Sequence, residues 1–337
     1  MRNRVKYFVL LITFILVFSC MFASYTIFAQ ERIKIPAMNF TTAGTTGSWF
    51  PIGAVIVDNV NKKYFEGYPI NAIAGEGGVS NPSRVGIGEE EVKFGFTYST
   101  FAKNAIEGKP PYDKAYPNIK AICSLTINVY HFVAAENLNL TKISDVKDGK
   151  IKLNFGTGPA GSTELFTSEV LFSEMGLNLV DDIMKWGGKV EAVSNANRDE
   201  LWQNRHIDVY TSIQVFPSAS VTQILMARPG KIIEIDKDLR DNLINKWGYI
   251  NYTIPSGSYR GQDNPVETIG MSMIIIARSD VPDNVAYLLT KAIAEMKDDL
   301  VNTNASFKTW EPEMMPKGVG IEIHPGALQY YKERGWL

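Results

Sequence analysis

The chain has 337 residues, of which 45% are hydrophobic and 21% charged, and its formal net charge is −2. This balance offers no basic stripe, so nucleic acid is not an expected partner. The two cysteines, Cys20 and Cys123, do not suggest a disulfide-rich scaffold, so we expect one or two domains stabilised by a hydrophobic core.

The first 29 residues have the pattern of a secretory signal peptide. Three basic residues precede a short apolar run at 7–18, and Ala29 ends a small-residue cleavage motif. The apolar run is shorter than the roughly 20 residues of a membrane span, which makes an uncleaved anchor the weaker alternative. A lipid anchor at Cys20 is also less favoured, because the bulky Phe18 makes a poor lipobox. We therefore expect a periplasmic or extracytoplasmic protein.

Strand-like and helix-like segments alternate in the first part of the mature chain. A strand is predicted at 33–40, and the helix after it has Ile52, Ile56 and Val60 at four-residue intervals. The segments "YPINAIAG" and "VKFGFTYS" are predicted as further strands. The apolar run at 121–135 is much longer than a typical strand of about five or six residues, so it could pass from one lobe into another.

The same alternation then begins again. "KIKLNF" is predicted as a strand, "GTGPAGST" as a turn, and the helix after them should stop at Gly176. A second long apolar strand is predicted at 267–277. Alternating strands and helices indicate an α/β protein with mostly parallel sheets. We place lobe I at 31–125 plus 246–337 and lobe II at 126–245, with the two long strands as paired connections.

Two turns between a strand and a helix share one composition of glycines and hydroxylated residues. Their backbone N–H groups can approach a ligand closely, and a helix N-terminus attracts anions. If each lobe has one such turn, a cleft between the lobes would present both to one small ligand. Ordinary turn and cap chemistry is the alternative. The candidate ligand-binding residues are Gly44, Thr45, Thr46, Gly47 and Ser48 in the first turn, and Thr157, Gly161, Ser162 and Thr163 in the second.

The second turn also matches the G-x-G-x-x-G pattern of dinucleotide-binding proteins. Pro159 lies inside the turn, however, and Glu174 falls on the helix rather than at the end of the next strand. An exported protein also has little access to NAD. We therefore expect no nucleotide and no other cofactor.

Aromatic and polar residues near these turns are further candidates. The aromatic ones could wall a cleft, although core packing explains them equally well. The polar ones lie in a third glycine-rich segment, "GEGGVSNPS", and an arginine could also contact a carboxylate. The aromatic candidates are Trp49, Phe50, Tyr98 and Tyr210, the polar ones are Ser80 and Asn81, and the arginines are Arg84, Arg198 and Arg260.

Catalytic and metal-binding patterns are not evident. The three histidines, His131, His206 and His324, lack metal-ligand spacing, and no nucleophile motif is present. We therefore predict a binding protein without a metal site rather than an enzyme, and keep a secreted enzyme as a remote alternative.

Five segments together resemble the TAXI family of TRAP-transporter solute receptors. Their order and spacing match over roughly 33–336, and the last is the most specific. In chain order they are "AGTTGSWFPIG", "GEGGVSN", "GTGPAGSTE", "RHIDVYTSIQVFPSASV" and "GIEIHPGALQYYKERGW".

The resemblance implies a two-lobed periplasmic-binding-protein-like fold of type II, with the ligand cleft between lobes joined by long crossing strands. It implies a receptor that binds a small organic anion, either a carboxylate or an acidic amino acid, and delivers it to the permease subunits of a TRAP transporter. A receptor-like sensory subunit that signals through a membrane partner is the alternative. The chain departs from the family pattern at Trp49-Phe50, at 160–163 and at 97–100, where the ligand should lie, so the ligand identity stays open.

Overall fold

A computed structural model describes residues 31–337 of the chain. The predicted signal peptide and Cys20 lie outside the described residues. Within the described range, no helix combines the length and the apolar character needed to cross a membrane.

Between residues 31 and 337, ten strands form one continuous sheet, in the order β2-β1-β3-β10-β4-β7-β5-β6, with β8 paired to β4 and β9 paired to β10. Their bounds are β1 Met38–Thr41, β2 Ile70–Ile73, β3 Val92–Tyr98, β4 Ile119–Ala135, β5 Asn154–Thr157, β6 Lys189–Ala192, β7 Val209–Val215, β8 Gly230–Ile232, β9 Ile250–Ile254 and β10 Val266–Arg278.

The strands are parallel at the two ends of the sheet and antiparallel in its middle. At one end β1 is parallel to β2 and β3, and at the other β5 is parallel to β6 and β7. Between these groups β10 is antiparallel to β3 and β4, and β4 is antiparallel to β7. The prediction of mostly parallel strands therefore holds only for the two ends, because the connecting strands run back through the centre.

The two predicted long strands are confirmed as β4, with 17 residues, and β10, with 13. The first part of β4 pairs with β10, and its residues 128–134 pair with β7 in the other half of the sheet. The last part of β10, residues 273–277, pairs with β3, and its first part pairs with β9. Both long strands therefore pass from one half of the molecule to the other.

Twelve helices cover the sheet within the described residues. In α1 the residues Ile52, Ile56 and Val60 are fully buried, as their four-residue spacing predicts, and each contributes about 1.5–3 kcal/mol by leaving water. The bounds are α1 Trp49–Tyr64, α2 Asn81–Ile87, α3 Ser99–Glu107, α4 Asp145–Gly149, α5 Thr163–Glu174, α6 Leu179–Lys185, α7 Asn195–Gln203, α8 Ala219–Ala227, α9 Lys237–Trp247, α10 Asp283–Ala294, α11 Lys297–Thr303 and α12 Pro325–Arg334.

The lobe boundaries stay a prediction, and one group of contacts bears on the second boundary. Ile254 and Tyr259 share a buried apolar cluster with Val133 and Trp202 of the second lobe. Because β9 also pairs with the first part of β10, we propose that the chain returns to the first lobe near residue 270, later than the sequence pattern suggested.

Candidate functional site

A cavity of about 710 Å³ lies between the two halves of the molecule and is lined by residues of both. The first half contributes residues 43–49 and 74–78 among others, and the second contributes residues 162–164 and 194–196 among others. The carboxyl ends of β1 and β2 lead into the two segments of the first half, and those of β5 and β6 lead into the two segments of the second. This is the edge of a parallel sheet at which α/β proteins bind ligands.

Most of the predicted ligand-binding residues line this cavity. From the first lobe they are residues 44–49, Ser80 and Tyr98, and from the second they are Ser162 and Thr163. The structure thus brings the two predicted turns to one cavity. That these residues contact a ligand stays a prediction.

Five predicted residues, Phe50, Asn81, Thr157, Gly161 and Tyr210, lie outside the cavity lining. The amide of Asn81 donates to the carbonyl oxygens of Thr42 at 2.6 Å and Phe96 at 2.8 Å. Asn81 therefore joins the ends of β1 and β3 rather than facing a ligand. Tyr210 is fully buried on β7 and donates its hydroxyl hydrogen to Asp199 at 2.8 Å.

Four helices of nine or more residues begin at the cavity. The first residues or N-caps of α1, α3, α5 and α7 all belong to the lining, namely Trp49, Tyr98, Thr163 and Asn195. The first N–H groups of a helix have no partner within the helix, and its N-terminus has a partial positive charge. Four such ends around one cavity make a site that favours a negatively charged group.

Three side chains of the lining carry a formal charge at neutral pH, Glu76, Arg84 and Glu164. Arg84 donates to the Thr41 hydroxyl at 2.9 Å and forms an ion pair with Glu90 at 3.3 Å. Its charge is therefore partly compensated on the outer side of the cavity. The helix ends supply positive potential at the other walls.

The other two candidate arginines occupy different places. Arg198 is fully buried behind the lining, and its guanidinium carbon lies 4.8 Å from the centre of the Tyr210 ring. Arg260 is exposed and donates to the carbonyl oxygen of Met226 at 3.3 Å. Of the three, only Arg84 reaches the cavity wall.

An aromatic wall closes one side of the cavity. The rings of Trp49 and Tyr98 lie 5.0 Å apart, and both residues are buried. Burial holds the pKa of the Tyr98 hydroxyl well above its usual range, so it stays protonated and can donate a hydrogen bond. Phe101, the next aromatic residue along α3, packs at 5.3 Å against Phe166 of α5. The aromatic contacts thus continue from one lobe to the other.

The lobes approach each other closely at two glycines. A Cβ atom on Gly78 would lie 2.7 Å from the hydroxyl of Thr163 and 2.8 Å from the Tyr98 ring. A Cβ atom on Gly47 would lie 3.2 Å from Nδ2 of Asn195. Because Thr163 and Asn195 belong to the second lobe, these glycines permit a closed arrangement of the cleft.

The sequence interpretation missed one of the helix ends. Ser194 and Asn195 follow β6 and line the cavity, and the Ser194 hydroxyl caps α7 by accepting from the backbone N–H of Asn197 at 3.4 Å. The segment "VSNANRDE" has the strand, serine cap and helix of the two predicted turns but contains no glycine. A search for serine caps after strands, rather than for glycine-rich turns, would have found it.

No group of three or more possible metal ligands occurs within residues 31–337. His131 is buried and bonded to the hydroxyl of Tyr259 at 2.9 Å. His324 caps α12 by accepting from the backbone N–H of Gly326 at 3.3 Å, so its ring orders the turn before this helix.

The two halves, the crossing strands and the cavity between them define the fold of a two-lobed periplasmic binding protein. MatC from Rhodopseudomonas palustris, solved with bound malate, has a TM-score of 0.55 and 13% identity, covering 90% of this chain and 98% of MatC. The periplasmic binding protein BugD has a TM-score of 0.51 and 12% identity, covering 91% of this chain and 96% of BugD. The predicted fold class is therefore confirmed.

The sequence itself matches one family model. The match extends over residues 40–335 and is to the NMT1-like family. The chain belongs to this family.

Proposed function

We propose that this protein is an exported solute receptor that binds one small organic anion between its lobes and delivers it to a membrane permease. The observation that supports this most directly is the meeting of four helix N-termini at one cavity between the lobes. A carboxylate there would accept hydrogen bonds from backbone N–H groups and from hydroxyls such as those of Ser48 and Thr163.

The size and walls of the cavity suit a small molecule. Its volume of about 710 Å³ lies within the usual range for small-molecule sites, about 300–1,000 Å³. Trp49 and Tyr98 provide an apolar side that excludes water, and the turns provide polar anchors. The malate in the structure of MatC is a ligand of the class we propose.

The finer assignment is to a TRAP system of the TAXI type. It rests on the five sequence segments that resemble that family, and it places permease subunits of an ion-gradient-driven transporter as partners. Receptors of this kind release their ligand unchanged, so we propose binding without catalysis. Permease genes next to the gene of this protein would support a role in transport. A neighbouring gene for a membrane signalling protein would instead favour the alternative, a receptor-like sensory subunit.

The acidic residues of the lining bear on whether the ligand is an amino acid or a carboxylate without an amino group. Glu76 lies on the first-lobe wall and Glu164 on the second. Either carboxylate could accept a hydrogen bond from the ammonium group of an amino acid, and either would oppose an additional negative charge. Matched pairs such as succinate with aspartate, and glutarate with glutamate, separate an amino-acid receptor from one for plain carboxylates.

A thermal-shift screen tests the proposed function. A ligand that binds only the folded state stabilises it by about 2.7 kcal/mol when present at a hundred times its Kd. This stabilisation raises the temperature midpoint of unfolding. We expect at least one small organic acid to raise the midpoint while neutral sugars do not. A response to sugars with no response to any acid would overturn the proposal.

A further inference from the structure

Asn195, the first residue of α7, lines the cavity and was not predicted from the sequence. Nη2 of Arg198, one turn later on the same helix, donates a hydrogen bond to Oδ1 of Asn195 at 2.5 Å. A guanidinium has donors and no acceptor, so the atom that faces it must be the amide oxygen. The amide nitrogen of Asn195 is therefore turned away from Arg198.

That amide nitrogen faces the opposite lobe. It lies 3.2 Å from the position that a Cβ atom would occupy on Gly47. Gly47 belongs to the turn at 44–48 that leads into α1, so Asn195 Nδ2 stands between two helix N-termini that belong to different lobes. A donor at this place can reach an acid group held by the first-lobe turn.

Arg198 is itself held firmly in place. It is fully buried, and its guanidinium packs against the Tyr210 ring, whose hydroxyl is fixed by Asp199. Within the described part of the chain, its Nε and Nη1 atoms have no hydrogen-bond partner. Arg198 therefore fixes the direction of the Asn195 amide and adds positive potential behind the cavity wall.

We infer that Asn195 is a ligand-binding residue that donates Nδ2–H to the acid group of the ligand as the lobes close, and that Arg198 is its positioning residue. The inference rests on the proposed function, because it assumes an acid in the cleft. It adds a hydrogen-bond donor on the second lobe, and it gives Gly47 a role as the residue that leaves room for that donor.

The variant N195D separates ligand binding from structural support. It has the same shape as the native side chain and keeps an acceptor for Arg198, now with a charge that strengthens the bond. It replaces the donor that faces the cleft with a carboxylate oxygen, which repels an acid. We expect N195D to be at least as stable as wild type at pH 7 and to bind acids about tenfold to a hundredfold more weakly.

The matched control is N197D, which makes the same chemical change two residues along α7. Asn197 is exposed and lies outside the cavity lining. Because exposed charges are well screened, the affinity of N197D for acids should stay within about twofold of wild type. The probes are succinate, L-malate and L-glutamate, each titrated calorimetrically into wild type, N195D and N197D.

The role of Arg198 has its own readout in the pH dependence of unfolding. If Arg198 holds the carboxylate introduced by N195D, that carboxyl has a lowered pKa in the folded state. Above a pH of about 3.9, the pKa of an aspartate in the unfolded chain, N195D should then be more stable than wild type. It should lose this advantage as the pH falls through the lower pKa that the carboxyl has in the folded state. Adding R198M to N195D should reduce this pH-dependent gain to the share that the N-terminus of α7 supplies.

Each outcome decides a separate part of the inference. If wild type binds an acid and N195D binds it equally well, Asn195 does not bind the ligand, and the proposed function stands. If wild type binds none of the three acids, the proposed function and the ligand-binding role of Asn195 both fail for these probes. If R198M leaves the gain in N195D undiminished, Arg198 does not position residue 195.

Discussion

Asn128 of β4 donates a hydrogen bond from Nδ2 to the hydroxyl oxygen of Tyr98, at the end of β3, over 2.9 Å. Both residues are buried, and Tyr98 is part of the cavity wall. Because β4 passes from one lobe to the other, this bond ties the ligand-facing wall to a strand that connects the lobes. We therefore expect movement of the lobes to change the position of Tyr98.

Y98F removes the hydroxyl that accepts this bond. The amide nitrogen of Asn128 would then be buried without an acceptor, which costs about 1–3 kcal/mol. We expect the free energy of unfolding in urea to fall by that amount, and ligand affinity to fall with it. Y287F is the control, because the hydroxyl of Tyr287 donates to Glu333 at the exposed surface. Y287F should change the free energy of unfolding by less than about 0.5 kcal/mol. Equal losses of stability in Y98F and Y287F would argue against a role for the bond between Asn128 and Tyr98.

S162A and T163V should have different effects. The hydroxyl of Ser162 caps α5 by accepting from the backbone N–H of Leu165 at 3.2 Å, so S162A should cost about 1 kcal/mol of stability. The hydroxyl of Thr163 faces Gly78 across the cleft, so T163V should weaken ligand binding about two- to tenfold with little loss of stability.

The control for this pair is N178A. Asn178 caps α6 by accepting from the backbone N–H groups of Val180 and Asp181 and lies outside the cavity lining. It should lower stability as S162A does, without changing affinity. If T163V binds acids as tightly as wild type, the turn at 157–163 is only a helix cap.

G78A should prevent full closure of the lobes. The added Cβ would lie 2.7 Å from the Thr163 hydroxyl of the opposite lobe, and this overpacking costs roughly 1–3 kcal/mol in the closed form. It would also lie 2.8 Å from the Tyr98 ring of its own lobe, so G78A should lower stability as well. Small-angle scattering should therefore show that ligand no longer reduces the radius of gyration. G53A is equally crowded, at 2.6 Å from Thr42, but lies within the first lobe, so it should lower stability and leave closure intact.

His131 should make the protein less stable as the pH falls. Burial lowers the pKa of His131 to about 4, whereas an unfolded histidine has a pKa of about 6.5. Below pH 6.5 the unfolded chain binds a proton that the folded chain does not, so stability is full above pH 6.5 and falls as the pH drops toward 4. Between pH 7 and pH 5 we expect a loss of roughly 2 kcal/mol from this group.

The contacts of His131 explain why the neutral form is favoured. The Tyr259 hydroxyl accepts from the backbone N–H of Ser218 at 2.9 Å, which leaves its own hydrogen for Nε2 of His131. Urea unfolding of H131Q at pH 7 and pH 5 should show a smaller pH dependence than wild type. H206Q, which makes the same substitution at an exposed position, is the control. An unchanged slope in H131Q would contradict this assignment.

The sequence predicted the long connecting strands and the two glycine-rich turns because each has a strong local signal. The apolar run at 121–135 is unusually long for a strand, and glycines with hydroxyls before a helix indicate a turn that can bind an anion. The single continuous sheet had no such signal, because strand order depends on contacts between distant residues such as Ile275 and Cys123.

Two predicted site residues lie outside the cavity lining for a common physical reason. Tyr210 lies near the start of β7, which continues to Val215, so Ile213 and Gln214 reach the cavity instead. Asn81 lies in a correctly predicted turn, yet its amide serves the backbone of Thr42 and Phe96. In both cases the direction of a side chain depends on where the strand ends and on which backbone groups need a partner.

The most direct test of the proposed function is native mass spectrometry of the refolded chain with a mixed pool of organic acids, amino acids and neutral sugars. Refolding removes any ligand acquired during expression. The proposal predicts a complex of one chain with one small organic acid or acidic amino acid, which N195D forms much less and N197D forms fully. A complex with a neutral sugar, or no complex with any acid in the pool, would contradict it.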